Sequence, residues 1–238
     1  MKCWSTKSGQ KIYQILSGRS NSFVLSNGGQ YILIDTGREN KWNILKRRLV
    51  EIQLKENCLS ALILTHTHFD HAENAYRIKE IYKTNLIVHK SEADFISSGN
   101  NPAIHGTNLI TKFITHMLGT QLLQFIKYKP VDYDITVEDK YDLSRFGFNA
   151  YIIHTPGHSI GSISVIVDNE IAIVGDAMFG VFKYSVFPPF AEQPENMIRS
   201  WKKLLDTGCS LFIPAHGTAN SRQLLQREYE KYKKRYGL

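Results

Sequence analysis

The sequence has few cysteines, no long apolar run and no low-complexity tract. Its three cysteines, Cys3, Cys58 and Cys209, are odd in number and widely spaced. This spacing argues against a disulfide framework or a cysteine-rich zinc site, and it favours free thiols in a reducing compartment. No segment approaches the roughly 18 apolar residues of a membrane span, and the first residues contain no apolar stretch of the secretory type. These absences predict a cytoplasmic protein with no membrane partner.

The composition is that of an ordinary globular protein. With 238 residues, 42% hydrophobic and 21% charged, the chain can bury a full core, and we expect one domain over 1–238. The net charge of +7 arises largely from "KRRL" at 46–49 and "KYKKRYGL" at the C-terminus. Both runs occupy helical positions, where solvated helix faces explain such charge better than nucleic acid does. We therefore expect a small-molecule substrate and no nucleic-acid partner.

Strand and helix patterns alternate along the chain and form two groups of strands. β-rich stretches occur at 11–16, 22–26, 31–36, 59–66 and 85–90, and again at 133–137, 149–154, 161–167, 170–175 and 210–216. Helical patterns occur at 39–56, 71–82, 91–127, 194–206 and 219–235. Two strand clusters, each with helices, predict an α+β fold in which two sheets pack face to face with helices outside. This is a four-layer αββα sandwich.

Histidine and aspartate residues follow several of the predicted strands. The densest group is "THTHFDH" at 65–71, and the others are "LIDTG" (33–37), "HTPGHS" (154–159), "VGDA" (174–177) and "PAHG" (214–217). The residues concerned are Asp35, His66, His68, Asp70, His71, His158, Asp176 and His216. Two histidines separated by one residue can chelate an ion, and histidine with carboxylate is a usual donor set for hydrolytic metal centres. The pattern therefore indicates a metal site, and the extra Asp and His suit a second ion.

These motifs, in this order and spacing, resemble the metallo-β-lactamase superfamily, specifically its glyoxalase II and lactonase-like branch. The resemblance implies a metallo-β-lactamase-like fold and two divalent transition-metal ions, zinc first, with iron or manganese as alternatives. By position, it implies that His66, His68 and His158 hold one ion, that Asp70, His71 and His216 hold the other, and that Asp176 bridges them. It also implies that Asp35 supports the ligands from behind.

The resemblance predicts a hydrolase that uses a metal-activated hydroxide. In this reading Asp70 is the catalytic residue, because it orients the attacking water and passes a proton to the leaving group. We expect a small ester-like substrate, either a thioester or a lactone. Two alternatives stay open: a phosphodiesterase or nuclease of the same superfamily, and a non-catalytic metal-binding homologue. Lactonases of this branch place a tyrosine shortly after the bridging aspartate, whereas this chain has Phe179, and its first tyrosine there is Tyr184.

The stretch 91–130 forms a mostly apolar helical insert between the first and second metal motifs. Its apolar residues, which include Leu122 and Phe125, fit either a lid over the substrate or an interface in a homodimer. Phe113 and Met117 of this insert are candidate substrate contacts, and Phe179 and Tyr184 are two more. The ligands are generic to the superfamily, so we expect the insert to determine substrate choice.

Overall fold

The computed structural model describes residues 1–118 and 126–238, which form two β-sheets packed face to face between two layers of helices. The predicted αββα sandwich is confirmed. Residues 119–125, which include Leu122 and Phe125 of the predicted insert, lie outside the described residues.

The first sheet contains seven strands in sequence order, β1 to β7. Their bounds are β1 Lys2–Ser5, β2 Lys11–Leu16, β3 Ser22–Asn27, β4 Gln30–Ile34, β5 Leu59–Ile63, β6 Asn85–His89 and β7 Ile135–Val137. The first four strands are antiparallel neighbours, whereas β4 through β7 run parallel. The carboxyl ends of β4, β5 and β6 therefore meet at one edge of the sheet.

The second sheet contains six strands in the order β13-β12-β11-β10-β9-β8. Their bounds are β8 Lys140–Asp142, β9 Ala150–His154, β10 Ile163–Val167, β11 Ile171–Gly175, β12 Leu211–Pro214 and β13 Asn220–Ser221. The β11–β12 pair is parallel and the other neighbours are antiparallel. Because β10 is antiparallel to both β9 and β11, those two strands run in the same direction as each other and as β12. The loops after β9, β11 and β12 therefore leave the sheet at the same edge.

The described residues contain seven α-helices, most of which pack on the outer faces of the sheets. They are α1 Trp42–Glu51, α2 Phe69–Ala72, α3 Ala75–Tyr82, α4 Ala93–Ser98, α5 Leu109–Leu118, α6 Pro194–Asp206 and α7 Arg222–Tyr236. One apolar cluster lies between the sheets and includes Phe23 and Phe148. A second lies between the first sheet and α1, α3 and α4, and a third, around Trp201, lies between the second sheet and α6 and α7.

Local sequence signals explain where the two C-terminal helices begin and end. Pro194 occupies the first turn of α6, where its missing N–H costs no hydrogen bond. The Ser221 side chain accepts a hydrogen bond from the Leu224 N–H at the start of α7, and Gly237 ends that helix in the left-handed conformation. The apolar faces of both helices pack on the second sheet.

The structure departs from the sequence prediction at the sheet edges and in the insert. The short strands β1, β8 and β13 were not expected. The predicted helical stretch 91–127 contains α4 and α5, but residues 99–108 between them are not helical, because Gly99 ends α4 in the left-handed conformation and Pro102 follows. Cys3, Cys58 and Cys209 are free thiols. None of the described helices combines the length and the hydrophobicity that crossing a bilayer requires.

Candidate metal centre

Four of the candidate ligands enter the site on the chain that follows β5. This strand ends at Ile63, and the chain then places His66 and His68 in an extended loop before α2 begins at Phe69. Asp70 and His71 are the second and third residues of α2. The short helix turns the chain back, so that donors one to five residues apart in sequence face the same point.

The other three candidate ligands come from the second sheet. His158 lies in the loop after β9, Asp176 directly follows β11, and His216 lies two residues after β12. The parallel pairing of β11 with β12 brings the last two loops side by side. Because the two sheets pack face to face, these loops meet the β5 loop across one edge of the sandwich.

The structure brings all seven predicted ligands together in three overlapping groups. The groups are His66, His68 and His158; His66, His71 and Asp176; and Asp70, His71 and His216, and within each group the ligand atoms all lie within 4.8 Å of one another. His68 Nδ1 lies 3.1 Å from His158 Nε2, so these two rings aim at the same point.

Asp176 is central to the arrangement. Its carboxylate oxygens lie 3.6 Å from His71 Nε2, 3.4 Å from His158 Nε2 and 3.1 Å from His216 Nε2. Asp70 lies near two of the same histidines. Its carboxylate oxygens are 3.7 Å from His216 Nε2 and 3.9 Å from His71 Nε2. A single carboxylate thus faces donors of both predicted ions.

The protonation states of these groups fit a cation. His66 Nε2, His71 Nε2 and Asp176 Oδ1 are buried and have no hydrogen-bond partner within the protein. Burial, reinforced by neighbouring imidazoles, holds the pKa of His66 and of His68 well below the usual histidine value. Burial alone would raise the pKa of Asp176, but the charges of His216, His158 and His71 outweigh it and lower that pKa. The neutral imidazoles of His66 and His68 and the ionised carboxylate of Asp176 are donors of the kind that a divalent transition metal requires, and His71 would release its proton when a metal binds.

Asp35 holds His71 from behind, as the resemblance implies. It directly follows β4, and its carboxylate accepts hydrogen bonds from His71 Nδ1 at 2.9 Å and from the N–H and hydroxyl of Thr65, both at 2.8 Å. Burial alone would lower the pKa of His71, but Asp35, Asp176 and Asp70 outweigh it and raise the pKa to about 10. The contact leaves Nε2 as the nitrogen that faces the ligand cluster.

Glu92, which the sequence analysis did not identify, joins two of the ligand loops. It is 2% exposed, and one carboxylate oxygen accepts hydrogen bonds from the N–H (3.0 Å) and the hydroxyl of Thr67, between His66 and His68. The other oxygen accepts from Ser159 Oγ at 2.6 Å and Gly161 N–H at 3.2 Å, in the loop that carries His158. A side chain at Gly161 would collide with Glu92, which explains the glycine there.

We expect Glu92→Gln to weaken metal binding by roughly 10–100-fold, the usual effect of removing a buried group that orients ligands. The amide cannot accept the four hydrogen bonds, because its NH₂ group is a donor. Competition with a chromophoric chelator measures the affinity. Glu228→Gln is the matched control, since Glu228 is 1% exposed and lies on α7, where it pairs with Lys231. Equal losses in the two variants, or none in Glu92→Gln, would contradict this positioning role.

Five of the candidate ligands form the base of a cavity of about 330 Å³. His68, Asp70, His158, Asp176 and His216 contribute to its floor. Its walls are mostly apolar and consist of Arg19, Phe69, Ile104, Ile114, Thr115, Phe179, Pro189 and Phe190. An apolar cavity that ends on a cluster of polar groups is the usual form of a small-molecule site.

The structure distributes the four predicted substrate contacts between cavity and solvent. Phe179 lines the cavity, and its ring centroid lies 4.4 Å from that of His216. Phe113 and Met117 are each 65% exposed and Tyr184 is 66% exposed, and none of the three lines the cavity. The helix α5 instead contributes Ile114 and Thr115 to the cavity wall. These two residues lie on the face of α5 that turns towards the cavity, whereas Phe113 lies on the face that turns towards solvent.

The remaining histidines near the site have other surroundings. His154 stacks on His89 with ring centroids 4.0 Å apart, and its Nε2 donates to the Ile160 carbonyl. His105 lies in the loop before α5, and His116 lies on the exposed side of that helix.

Comparison with known proteins gives the same assignment. The sequence model of the metallo-beta-lactamase superfamily matches residues 17–216. A probable metallo-hydrolase of Methanocaldococcus jannaschii is 28% identical over 206 residues, which cover 85% of this chain and 90% of that protein. An atrochrysone carboxyl ACP thioesterase of Aspergillus fumigatus is 25% identical over 221 residues, 91% of this chain and 57% of that enzyme. The chain therefore spans little more than half the length of the thioesterase.

Solved structures agree on the fold. A metallo-beta-lactamase of Cronobacter sakazakii is similar with a TM-score of 0.68 and 16% identity, covering 100% of this chain and 95% of that chain. At that identity the likeness concerns the fold alone. The family match, however, extends over residues 17–216 of the 238 and includes every predicted ligand. The chain belongs to the metallo-beta-lactamase superfamily.

Proposed function

We propose that this protein is a dinuclear metal-dependent hydrolase of a small ester-like substrate, and that the substrate is a thioester. The observation that carries the proposal is the position of Asp176, which lies between two histidine groups at the base of an apolar cavity. His66, His68 and His158 would hold one ion, and Asp70, His71 and His216 the other. The similarity to a thioesterase favours a thioester, and Phe179 in place of tyrosine disfavours a lactone.

Divalent ions in such a site lower the pKa of water towards neutrality and polarise a substrate carbonyl. Hydrolysis adds the water oxygen to the acyl carbon, breaks the bond to the leaving sulfur or oxygen, and delivers a proton to that leaving atom. Asp70 is 15% exposed and lines the cavity, so its carboxylate can hold the proton between these events. The apolar walls exclude water from the acyl group and strengthen the electrostatic contacts around it.

Elemental analysis and a substrate panel test the proposal together. Protein purified without chelator is expected to contain two transition-metal ions per chain. The panel contains an N-acetylcysteamine thioester, a lactone and bis-p-nitrophenyl phosphate, and we expect turnover of the thioester. A reproducible zero for metal, with no activity after addition of zinc, manganese or iron, would refute the hydrolase. Preferred turnover of the phosphate diester would instead assign a phosphodiesterase.

We expect Ile114→Ala to lower kcat/KM for a medium-chain acyl thioester by roughly 10-fold, since losing an aliphatic contact in a pocket is worth about that much. Ile114 lines the cavity and is 41% exposed, so the effect falls at the lower end of the usual range. Phe113→Ala, one residue away on the same helix and 65% exposed, is the control and should change kcat/KM less than two-fold. A larger loss of kcat/KM in Phe113→Ala than in Ile114→Ala would show that the substrate contacts the outer face of α5 instead.

A further inference from the structure

The cavity wall contains one group that the proposed function does not use. Among the described residues that line the cavity, Arg19 is the only lysine or arginine, and it faces walls that are otherwise mostly apolar. It lies in the turn between β2 and β3, on the exposed rim. A guanidinium at the mouth of an apolar site provides several N–H donors and a permanent positive charge.

The turn that carries Arg19 is held near the candidate ligands by Asn21, two residues further along the chain. The Asn21 N–H donates to the Ala215 carbonyl at 2.7 Å, and its side-chain amide donates to the carbonyls of Pro214 and Gly217, both at 3.1 Å. These acceptors flank His216 on both sides. The β2–β3 turn is therefore attached to the loop that carries His216, and this attachment keeps the backbone of Arg19 beside the cavity.

No carboxylate of the described residues pairs with Arg19. Some of the other arginines do have such a partner, as Arg38 with Glu73 and Arg77 with Glu39 show. Within the described part of the chain, the Arg19 charge thus faces only the cavity and solvent. The opening of the site consequently favours a ligand that carries negative charge.

We propose that Arg19 binds an anionic group of the substrate, so that the natural substrate is a thioester carrying a carboxylate or phosphate. This inference rests on the proposed function and names its substrate class. The thioester carbonyl would lie at the ligand end, and the anion would accept hydrogen bonds from the guanidinium at the rim. The negative charge can belong to the acyl group or to the leaving thiol, and the experiment distinguishes the two sources.

Thioether analogues of the thioesters, in which a methylene replaces the thioester carbonyl, cannot be hydrolysed. Their titration therefore measures binding alone. The probes are S-ethyl-N-acetylcysteamine, which is neutral, S-(4-carboxybutyl)-N-acetylcysteamine, with a charged acyl equivalent, and S-ethyl-coenzyme A, with a charged leaving group. Calorimetric titration of the metal-loaded protein measures each dissociation constant. Arg19→Ala is compared with Arg19→Lys and with Arg47→Ala, a control whose arginine pairs with Glu51 on α1.

We expect the parent protein to bind one of the charged probes at least 10-fold more tightly than the neutral one, and Arg19→Ala to remove that preference. Arg19→Lys should retain part of it, and Arg47→Ala all of it. Equal affinities of the parent for all three probes, or an equal loss for charged and neutral probes in Arg19→Ala, would overturn the inference. Failure of the hydrolase itself is distinguishable, because the matching thioesters would then bind but remain intact.

Discussion

Replacing Asp70 with alanine is expected to lower turnover by roughly 10²–10⁴-fold while the fold persists. Asp70 lies in the first turn of α2, and its carboxylate is 3.7 Å from His216 Nε2 at the floor of the cavity. Its removal takes away both a ligand of the second predicted ion and the group that holds the transferred proton. Rates with a thioester, metal content and circular dichroism should be measured on the same preparations.

Two further variants separate these roles of Asp70. Asp70→Asn keeps a neutral oxygen donor but cannot hold a proton, so it should bind metal better than Asp70→Ala while remaining slow. Asp94→Ala is the matched control, because Asp94 lies in the first turn of α4 and is exposed away from the ligands. An Asp70→Ala protein that works within a few-fold of the parent rate would rule out the mechanism.

Asp35→Ala is expected to weaken metal binding by roughly 10–100-fold and to lower the free energy of unfolding of the metal-free protein by about 3–5 kcal/mol. Asp35 is 1% exposed, and His71 and Thr65 donate three hydrogen bonds to it. With its pKa raised to about 10, His71 is charged at neutral pH in the metal-free protein, and alanine would leave that charge buried without its closest partner. Chemical denaturation with chelator present isolates the stability loss.

The backbone conformation of Asp35 guides the choice of a milder variant and of a matched control. Its φ of 59° is left-handed, a conformation that asparagine tolerates, so Asp35→Asn removes the charge and keeps the local geometry. Asp168 also has a positive φ, 54°, and accepts hydrogen bonds from Ser8, Gln10 and Asn149 away from the ligands. Asp168→Asn should leave metal affinity unchanged. If it weakens metal binding as much as Asp35→Asn does, the effect comes from general destabilisation.

The grouping of the candidate ligands was predictable because it depends on short-range sequence rules. A buried strand followed by histidine or aspartate places the side chain at a sheet edge, and the rule holds for β4, β5, β9, β11 and β12. Glu92 also follows a strand, three residues after His89 at the end of β6, but a rule limited to histidine and aspartate does not include it. Its partners, however, are 25 to 69 residues away in sequence, so its role in joining the loops becomes visible only in the fold.

The rest of the site was less predictable because it depends on side-chain direction. In α5, a difference of one position separates Ile114, in the cavity wall, from Phe113, in solvent, and periodicity alone does not fix which face turns inward. Arg19 is one exposed charge in a turn, and only the fold shows that the attachment of Asn21 to the His216 loop places this turn beside the cavity. The strands β1, β8 and β13 are two to four residues long, too short for alternation to mark them.

The division of the donors between the two sheets couples metal supply to folding. Four come from the chain after β5 and three from loops of the second sheet, so one bound cation cross-links both halves of the sandwich. Free metal at 1,000 times its dissociation constant would add about 4 kcal/mol to the free energy of unfolding. An increment of this size is a large fraction of the total free energy of unfolding of a typical domain. The melting temperature of the protein would then rise and fall with the concentration of free metal. A shortage of the ion would shorten the lifetime of the folded chain and would also remove the proposed hydrolytic activity.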